Sequence, residues 1–280
     1  MTVARFAPSP TGRLHLGHAF SAILGHAQAR APGGRFLVRI EDLDPGRSRP
    51  EFVDGIFEDL AWLGLEWDEP VLIQSQRSAN YDAALDKLRE RGLVYPCFCT
   101  RADIAAALEA PHGWHAHYPG ICRDLPDNPA RRTSEAHSWR LDAARAIEAV
   151  GLPGWNESEQ RFRSARKDID DVILARKDAP AAYHLACVVD DADSGVTLVT
   201  RATDLRASTP VQRLLQTLLA LGEPSYLHHP VVAFADGRRL AKRDRAPTLT
   251  VMRESGVDGP MLAAALRAGQ LPLGFAFMAD

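Results

Sequence analysis

The sequence predicts an α/β fold in which an open parallel sheet is interrupted by an inserted module, and two observations carry this prediction. Strand-like and helix-like apolar stretches alternate over about the first 65 of the 280 residues. After residue 96 the chain becomes rich in Pro, His and Cys. Because strands that alternate with helices form βαβ units, we expect a Rossmann-like parallel sheet with helices on both faces, followed by a short helical C-terminal tail.

Proline and glycine delimit the elements of the first part of the chain. In order, we predict a strand over residues 3–10, a helix over 17–31, a strand over 35–44, and helices over 50–65 and 78–92. Pro8 breaks the first strand, and Pro50 suits the first position of its helix. Gly92 can end the last of these helices in the left-handed conformation.

The second part of the chain returns to α/β patterning. We predict two strands within residues 183–205, joined by a turn at 193–195. An amphipathic helix over 209–222 follows, and then a strand over 226–237 that leads into a basic loop. A helical segment is expected beyond that loop.

Composition excludes several classes of protein. Lys and Arg number 33 against 36 Asp and Glu, so the net charge of −3 gives no global basic field, and RNA contacts would come from local clusters such as residues 237–245. No apolar stretch approaches the roughly 20 residues that span a bilayer, and the N-terminus lacks a signal-peptide pattern. Four cysteines are too few for a disulfide scaffold, so we expect a cytoplasmic protein with no membrane partner.

The stretch HLGH, residues 15–18, falls where the first strand hands over to the first helix. Free N–H groups and the positive end of the helix dipole favour phosphate there, and Gly17 would allow close approach of a nucleotide. His15 and His18 project from one side of the first turn and could donate to phosphate oxygens. Considered alone, a helix start with incidental histidines is the commoner explanation of this spacing. The sequence contains no P-loop motif.

Two stretches of the sequence favour the phosphate-binding interpretation over incidental histidines. RFAPSPTGRLHLGH (5–18) and LVRIEDLD (37–44) resemble the catalytic core of class I glutamyl-tRNA synthetases, with HLGH at the position of their HIGH signature. The resemblance implies that His15 and His18 are catalytic and, with Gly17, bind ATP. It also implies that ATP is a substrate, with Mg²⁺.

The second signature of such enzymes is a mobile KMSKS-type loop, and its counterpart here is RLAKR (239–243). The motif departs from the pattern at several positions but retains Lys242, whose ammonium could follow the departing pyrophosphate. On spacing alone a solvated basic loop is the simpler interpretation. With HLGH in place, the resemblance implies that Lys242 is a catalytic, ATP-binding residue.

The amino-acid pocket should hold a free amino acid with an extra carboxylate. Arg5 and Arg201 can each clamp a carboxylate, Glu41 could take the α-ammonium, and Ser9 and Tyr183 offer hydroxyls. The resemblance implies that these are glutamate-binding positions, together with the rest of the stretch RFAPS: Phe6, Ala7 and Pro8. Without the resemblance, Arg201 would be a surface charge at a strand end and Tyr183 a core residue.

Cys97, Cys99 and Cys122 give three thiolates within residues 97–122, a zinc pattern without an obvious fourth ligand. From the residues alone, His115 or His117 would be the first choice. Free-standing relatives called glutamyl-Q tRNA(Asp) synthetases have a CxC…YxxxC arrangement, which the sequence YPGIC matches, so the resemblance implies Tyr118. We expect a structural Zn²⁺ that pins a small insert.

The chain ends soon after the RLAKR loop, whereas glutamyl-tRNA synthetases continue into a helical anticodon-binding domain. The resemblance therefore favours the shorter relatives and implies four segments: residues 1–96 and 183–235 as two halves of the catalytic domain, 97–182 as a zinc-containing acceptor-binding module, and 236–280 as the loop and helical C-terminal segment. It implies ATP-dependent, tRNA-independent activation of L-glutamate and transfer to queuosine at the wobble position of tRNA(Asp), by a monomer. The alternatives are an enzyme that charges a tRNA 3′ end or another acceptor, and a non-catalytic paralogue that binds glutamate, nucleotide or RNA.

Overall fold

The computed structural model describes residues 1–31, 33–108, 118–126, 128–240 and 247–278. The strands are β1 (Val3–Phe6), β2 (Arg35–Ile40), β3 (Asp68–Ile73), β4 (Val94–Cys97), β5 (Ser138–Leu141), β6 (Gly154–Glu157), β7 (Gln160–Arg163), β8 (Ile173–Ala175), β9 (Leu198–Ala202), β10 (Ser225–His229), β11 (Val232–Phe234) and β12 (Phe275–Phe277). The helices are α1 (Leu16–Arg30), α2 (Pro50–Trp62), α3 (Ser78–Glu90), α4 (Arg101–Leu108), α5 (Pro129–Ser134), α6 (Ala143–Val150), α7 (Tyr183–Asp193), α8 (Thr209–Leu218), α9 (Leu249–Glu254) and α10 (Gly259–Arg267).

The main sheet has the order β3-β2-β1-β9-β10-β6-β7. Its neighbours pair in parallel from β3 to β6, and only the last pair, β6 with β7, is antiparallel. The order runs outward from β1 in one direction and resumes at β9 in the other, which is the switch point of a doubly wound sheet. The predicted Rossmann-like parallel sheet is confirmed. Ligands of such sheets bind at the carboxyl ends of the strands beside this point.

The side chains of alternate residues of β1 lie on opposite faces of the sheet. Ala4 and Phe6 join a buried apolar cluster that includes α1 and α10, whereas Arg5 contacts Asp191 of α7. This alternation follows from the two-residue period of a strand. Helices therefore cover both faces, as predicted.

Between β3 and β9 the chain builds a second, antiparallel sheet in the order β4-β5-β8. The hairpin β6–β7 lies in the same part of the sequence but extends the main sheet, because β6 pairs with β10. The segment 97–182, predicted as one inserted module, thus contributes strands to both sheets. Its boundaries as a domain stay a prediction.

The structure corrects two predicted elements. The first of the two strands predicted within residues 183–205 is instead the helix α7, Tyr183–Asp193. The helix buries its residues from Leu185 to Asp191 on all sides, so it has no polar face whose period could be recognised. The strand predicted over 226–237 is two strands, β10 and β11, separated by Pro230, and β11 pairs with β12 near the C-terminus. The predicted helical tail corresponds to α9 and α10, followed by β12.

Candidate active site

His15 and His18 stand together at the N-terminus of α1. His15 is the N-cap residue, and its Nδ1 accepts the backbone N–H of Gly17 at 3.1 Å. The backbone N–H of His15 donates in turn to Nδ1 of His18, also at 3.1 Å. The two ring centroids are 3.8 Å apart. Because Nδ1 accepts in both rings, each imidazole in its neutral form carries its hydrogen on Nε2.

Burial lowers the pKa of His15 to about 4, so this ring is neutral at physiological pH. Gly17 leaves room for this ring, since a Cβ at position 17 would lie 3.1 Å from Cε1 of His15 and would push the ring by a few tenths of an ångström. His15 can therefore offer a neutral N–H donor to a phosphate oxygen at a helix N-terminus.

The segment that follows the predicted signature loop contacts His15 and its neighbour Leu14. Thr248 pairs with His15 in an antiparallel bridge, and the N–H of Leu249 donates to the carbonyl of Leu14 at 2.8 Å. On the other side of the loop, Leu240 is buried in the main core. Lys242 lies outside the described residues, but the described segments that flank it are held beside the HLGH turn and the core.

A cavity of about 330 Å³ opens beyond the carboxyl ends of β1, β2 and β3. It brings together three of the predicted glutamate-binding residues: Ser9, Glu41 and Tyr183. The backbone N–H of Glu41 donates to the carbonyl of Pro8 at 3.1 Å, which ties the loop after β1 to the end of β2. The remaining lining residues are Leu43, Asp44, Gln74, Ile173, Arg176, Ala181 and Ala182.

Arg5 belongs to a buried charge network that the sequence analysis missed. Its Nε donates to Asp191 at 2.9 Å, and Arg39 binds the same carboxylate. Arg39 also reaches Oε1 of Glu41 at 2.9 Å, so the network ends at the cavity wall. A charged residue in the middle of the apolar strand β2 was the available signal for Arg39.

Desolvation and ion pairing oppose each other in this network. Burial would raise the pKa of Asp191, but Arg5 and Arg39 hold it well below its usual range. Burial raises the pKa of Glu41, and Arg39 only partly offsets that effect. An ammonium group beside Glu41 would add the second positive charge that this carboxylate lacks.

Arg201 lies on β9 and contacts the cavity through Tyr183. Its Nη1 donates to Oε1 of Gln212 at 2.7 Å and lies 3.4 Å from the Tyr183 hydroxyl. Its Nη2 donates to the hydroxyl of Thr209 at 2.7 Å. Phe6 packs in the core, and Ala7 and Pro8 continue the loop after β1. Of the predicted pocket residues, Ser9, Glu41 and Tyr183 line the cavity, whereas Arg5 and Arg201 do not.

The three predicted thiolates also come together. The Sγ atoms of Cys97, Cys99 and Cys122 all lie within 4.8 Å of one another, with Cys99 and Cys122 at 3.5 Å. The Tyr118 hydroxyl lies 3.4 Å from Sγ of both Cys97 and Cys99. His115 and His117 lie outside the described residues.

The spacing of these atoms suits a four-coordinate metal. Zinc–sulfur bonds of about 2.3 Å and zinc–oxygen bonds of about 2.0 Å separate tetrahedral ligand atoms by roughly 3.5–3.8 Å. Arg140 was not predicted from the sequence: its Nε donates to Sγ of Cys97 at 3.3 Å, and its guanidinium lies 3.8 Å from the centre of the Tyr118 ring. A cation here compensates part of the negative charge of three thiolates.

Comparison with known proteins agrees with this geometry. The family model of the class I tRNA synthetase (E and Q) catalytic domain matches residues 1–273, which defines the class of protein. A glutamyl-Q tRNA(Asp) synthetase of Rhodobacter capsulatus is 46% identical, over 91% of this chain and 96% of its own length. One from Nocardia farcinica is 47% identical, over 94% and 82%. The chain therefore belongs to the family of glutamyl-Q tRNA(Asp) synthetases, as the sequence motifs predict.

Solved structures agree on the fold. A glutamate tRNA ligase from Elizabethkingia meningosepticum, in complex with its amino acid, matches with a TM-score of 0.73 and 26% identity. The match covers 87% of this chain and 52% of the ligase, so the chain spans about half the length of that protein. Among the described residues, no helix has the length and apolar character needed to cross a membrane.

Proposed function

We propose that the chain activates L-glutamate with ATP in the absence of tRNA and then transfers it to queuosine at the wobble position of tRNA(Asp). One observation carries the first step: the two N–H donors of HLGH and the Ser9–Glu41–Tyr183 cavity share the carboxyl edge of one parallel sheet. The glutamyl-Q tRNA(Asp) synthetase family to which the chain belongs supports the second.

In the activation step, an oxygen of the glutamate α-carboxylate attacks the α-phosphorus of ATP, and the bond to pyrophosphate breaks. Glu41 binds the α-ammonium, and Arg5, Arg201, Ser9 and Tyr183 orient the carboxylates. Positioning both substrates makes the attack effectively intramolecular. The Nε2–H groups of His15 and His18 stabilise charge on the phosphate oxygens. We assign neutralisation of pyrophosphate to Lys242, and Mg²⁺ would add to it.

In the transfer step, a hydroxyl of the queuosine cyclopentene ring attacks the carbonyl carbon of the glutamyl-adenylate. AMP leaves with the electron pair of the broken bond, the hydroxyl gives up its proton, and an ester forms. We propose that the segment 97–182 receives the acceptor. Cys97, Cys99, Cys122 and Tyr118 would hold a structural zinc ion that fixes this segment.

Glutamate-dependent exchange of pyrophosphate into ATP, measured without tRNA, tests the activation step. We expect exchange with L-glutamate, and a loss of up to about tenfold in kcat for Gly17→Ala, because the new Cβ would shift the ring of His15 by a few tenths of an ångström. Gly222→Ala, where a Cβ would meet open space, is the matched control. Absence of exchange at saturating substrates contradicts the proposal and favours a binding protein.

A further inference from the structure

Three polar side chains form a row across three neighbouring strands beside the cavity. Arg201 of β9 and His228 of β10 are direct partners in the parallel ladder, and Nε of Arg201 donates to Nε2 of His228 at 3.1 Å. On the far side of the imidazole, Nδ1 lies 3.1 Å from Oε2 of Glu157 on β6. The side chain of His228 is only 1% exposed, and that of Glu157 8%.

The row fixes where the proton of His228 lies. A guanidinium can only donate, so Nε2 of His228 must accept, and the hydrogen of the neutral ring is on Nδ1. Nδ1 lies 3.1 Å from Oε2 of Glu157 without an aligned hydrogen bond, so Glu157 acts on the ring through its charge. The Glu157 carboxylate is held by further donors, since it accepts Nε1–H of Trp155 at 3.0 Å and lies 3.3 Å from the Arg206 guanidinium. A protonated His228 could not accept from Arg201 and would place a second cation against it.

Arg201 is thereby held at every nitrogen. Gln212 and Thr209 accept from its two terminal nitrogens, and His228 accepts from Nε. The nitrogen bound to Gln212 is also the one that lies beside the Tyr183 hydroxyl at the cavity. Loss of the contact at Nε would leave the guanidinium held only through Gln212 and Thr209, and its orientation would be less well fixed.

We propose that His228, oriented by Glu157, is a positioning residue that sets the guanidinium of Arg201 for a carboxylate of L-glutamate. The inference rests on the proposed function, because it takes glutamate as the ligand of Arg201. His228 acts through Arg201 and does not contact the substrate itself.

Calorimetric titration with L-glutamate, together with pyrophosphate exchange, tests the assignment. In His228→Leu we expect Kd and KM for glutamate to rise about tenfold or more, as a lost hydrogen bond to a charged group implies. KM for ATP should stay within about twofold, since the HLGH turn does not depend on this row. His228→Gln, which returns an acceptor near the position of Nε2, should recover most of the glutamate affinity.

Tyr226→Phe is the matched control, since it alters a buried side chain of the same strand and should leave Kd unchanged. If His228→Leu does not fold, Glu157→Gln provides the same test with less disturbance and a smaller rise in Kd. A folded His228→Leu or Glu157→Gln with wild-type Kd for glutamate overturns the positioning role. So does equal loss in His228→Leu and His228→Gln. Wild-type protein that binds glutamate but catalyses no exchange contradicts the proposed function alone, because the Kd comparison does not require turnover.

Discussion

At the scale of single residues, buried histidines set the acid sensitivity of the protein. The pKa values of His15, His184 and His228 are all lowered to about 4, chiefly because burial disfavours the imidazolium. An unfolded histidine keeps a pKa near 6.5. Between these values the unfolded chain binds protons that the folded chain does not, so protonation favours unfolding.

We therefore expect the free energy of unfolding to be intact above about pH 6.5 and to fall as the pH approaches 4, by about 1–2 kcal/mol for each of these histidines. Urea unfolding between pH 7 and pH 4.5 measures the slope. Asp59, whose pKa burial raises to about 6, acts in the opposite direction. His15→Gln isolates one contribution: its slope should be shallower than that of the wild type, and an equal slope would contradict the assignment.

The residues of the candidate site differ in how far the sequence could predict them. The contacts within HLGH were predictable because His15, Gly17 and His18 are neighbours in the chain and lie within one helical turn. Their role toward ATP came from the resemblance and stays a prediction. The contact between Arg39 and Asp191 joins residues 152 positions apart, so no local pattern could indicate it. Lys242 lies outside the described residues, and its role stays a prediction.

At the scale of elements, buried ion pairs join α7 to the main sheet. The side chain of Asp191 extends from α7 and binds Arg5 of β1 and Arg39 of β2. Both ion pairs are almost wholly buried. The alternation of apolar and polar residues in this segment predicted a strand. Asp191 instead pairs with two buried arginines, so tertiary pairing decides the conformation.

Removal of this carboxylate should therefore be costly. Asp191→Asn leaves Arg5 without a counter-charge and Arg39 with that of Glu41 alone, and we expect a loss of about 3–5 kcal/mol in the free energy of unfolding. Asp193→Asn, at a carboxylate that is 45% exposed, is the control and should cost less than about 1 kcal/mol. Urea denaturation compares them, and similar losses in both variants would contradict a structural role for the buried network.

The cysteine cluster is the second element-scale feature with a direct test. We expect one zinc ion per chain by elemental analysis, lost in Cys122→Ser, with a lower melting temperature because β4 and the segment after it lose their cross-link. Cys187→Ser should keep the metal, since this thiol lies in the main domain beside Arg5. Zinc retained in full by Cys122→Ser would contradict the proposed ligand set. Tyr118→Phe measures the contribution of the oxygen ligand.

At the scale of the whole molecule, the site is assembled from both ends of the chain. β1 and α1 supply the HLGH turn, whereas β9 and β10 supply Arg201 and the row behind it. The alternation of strands and helices was enough to predict the parallel sheet. It could not predict that β6 and β7 extend that sheet, because nothing local distinguishes a strand of the insert from a strand of the core.

The position of glutamate on the charged tRNA tests the central claim most directly. The protein is incubated with ATP, radiolabelled L-glutamate and tRNA(Asp) that carries or lacks queuosine, and the product is cleaved into anticodon and 3′-terminal fragments. We predict label on the anticodon fragment alone, and none in tRNA without queuosine. Label on the terminal adenosine, or equal labelling of both tRNAs, would contradict the account.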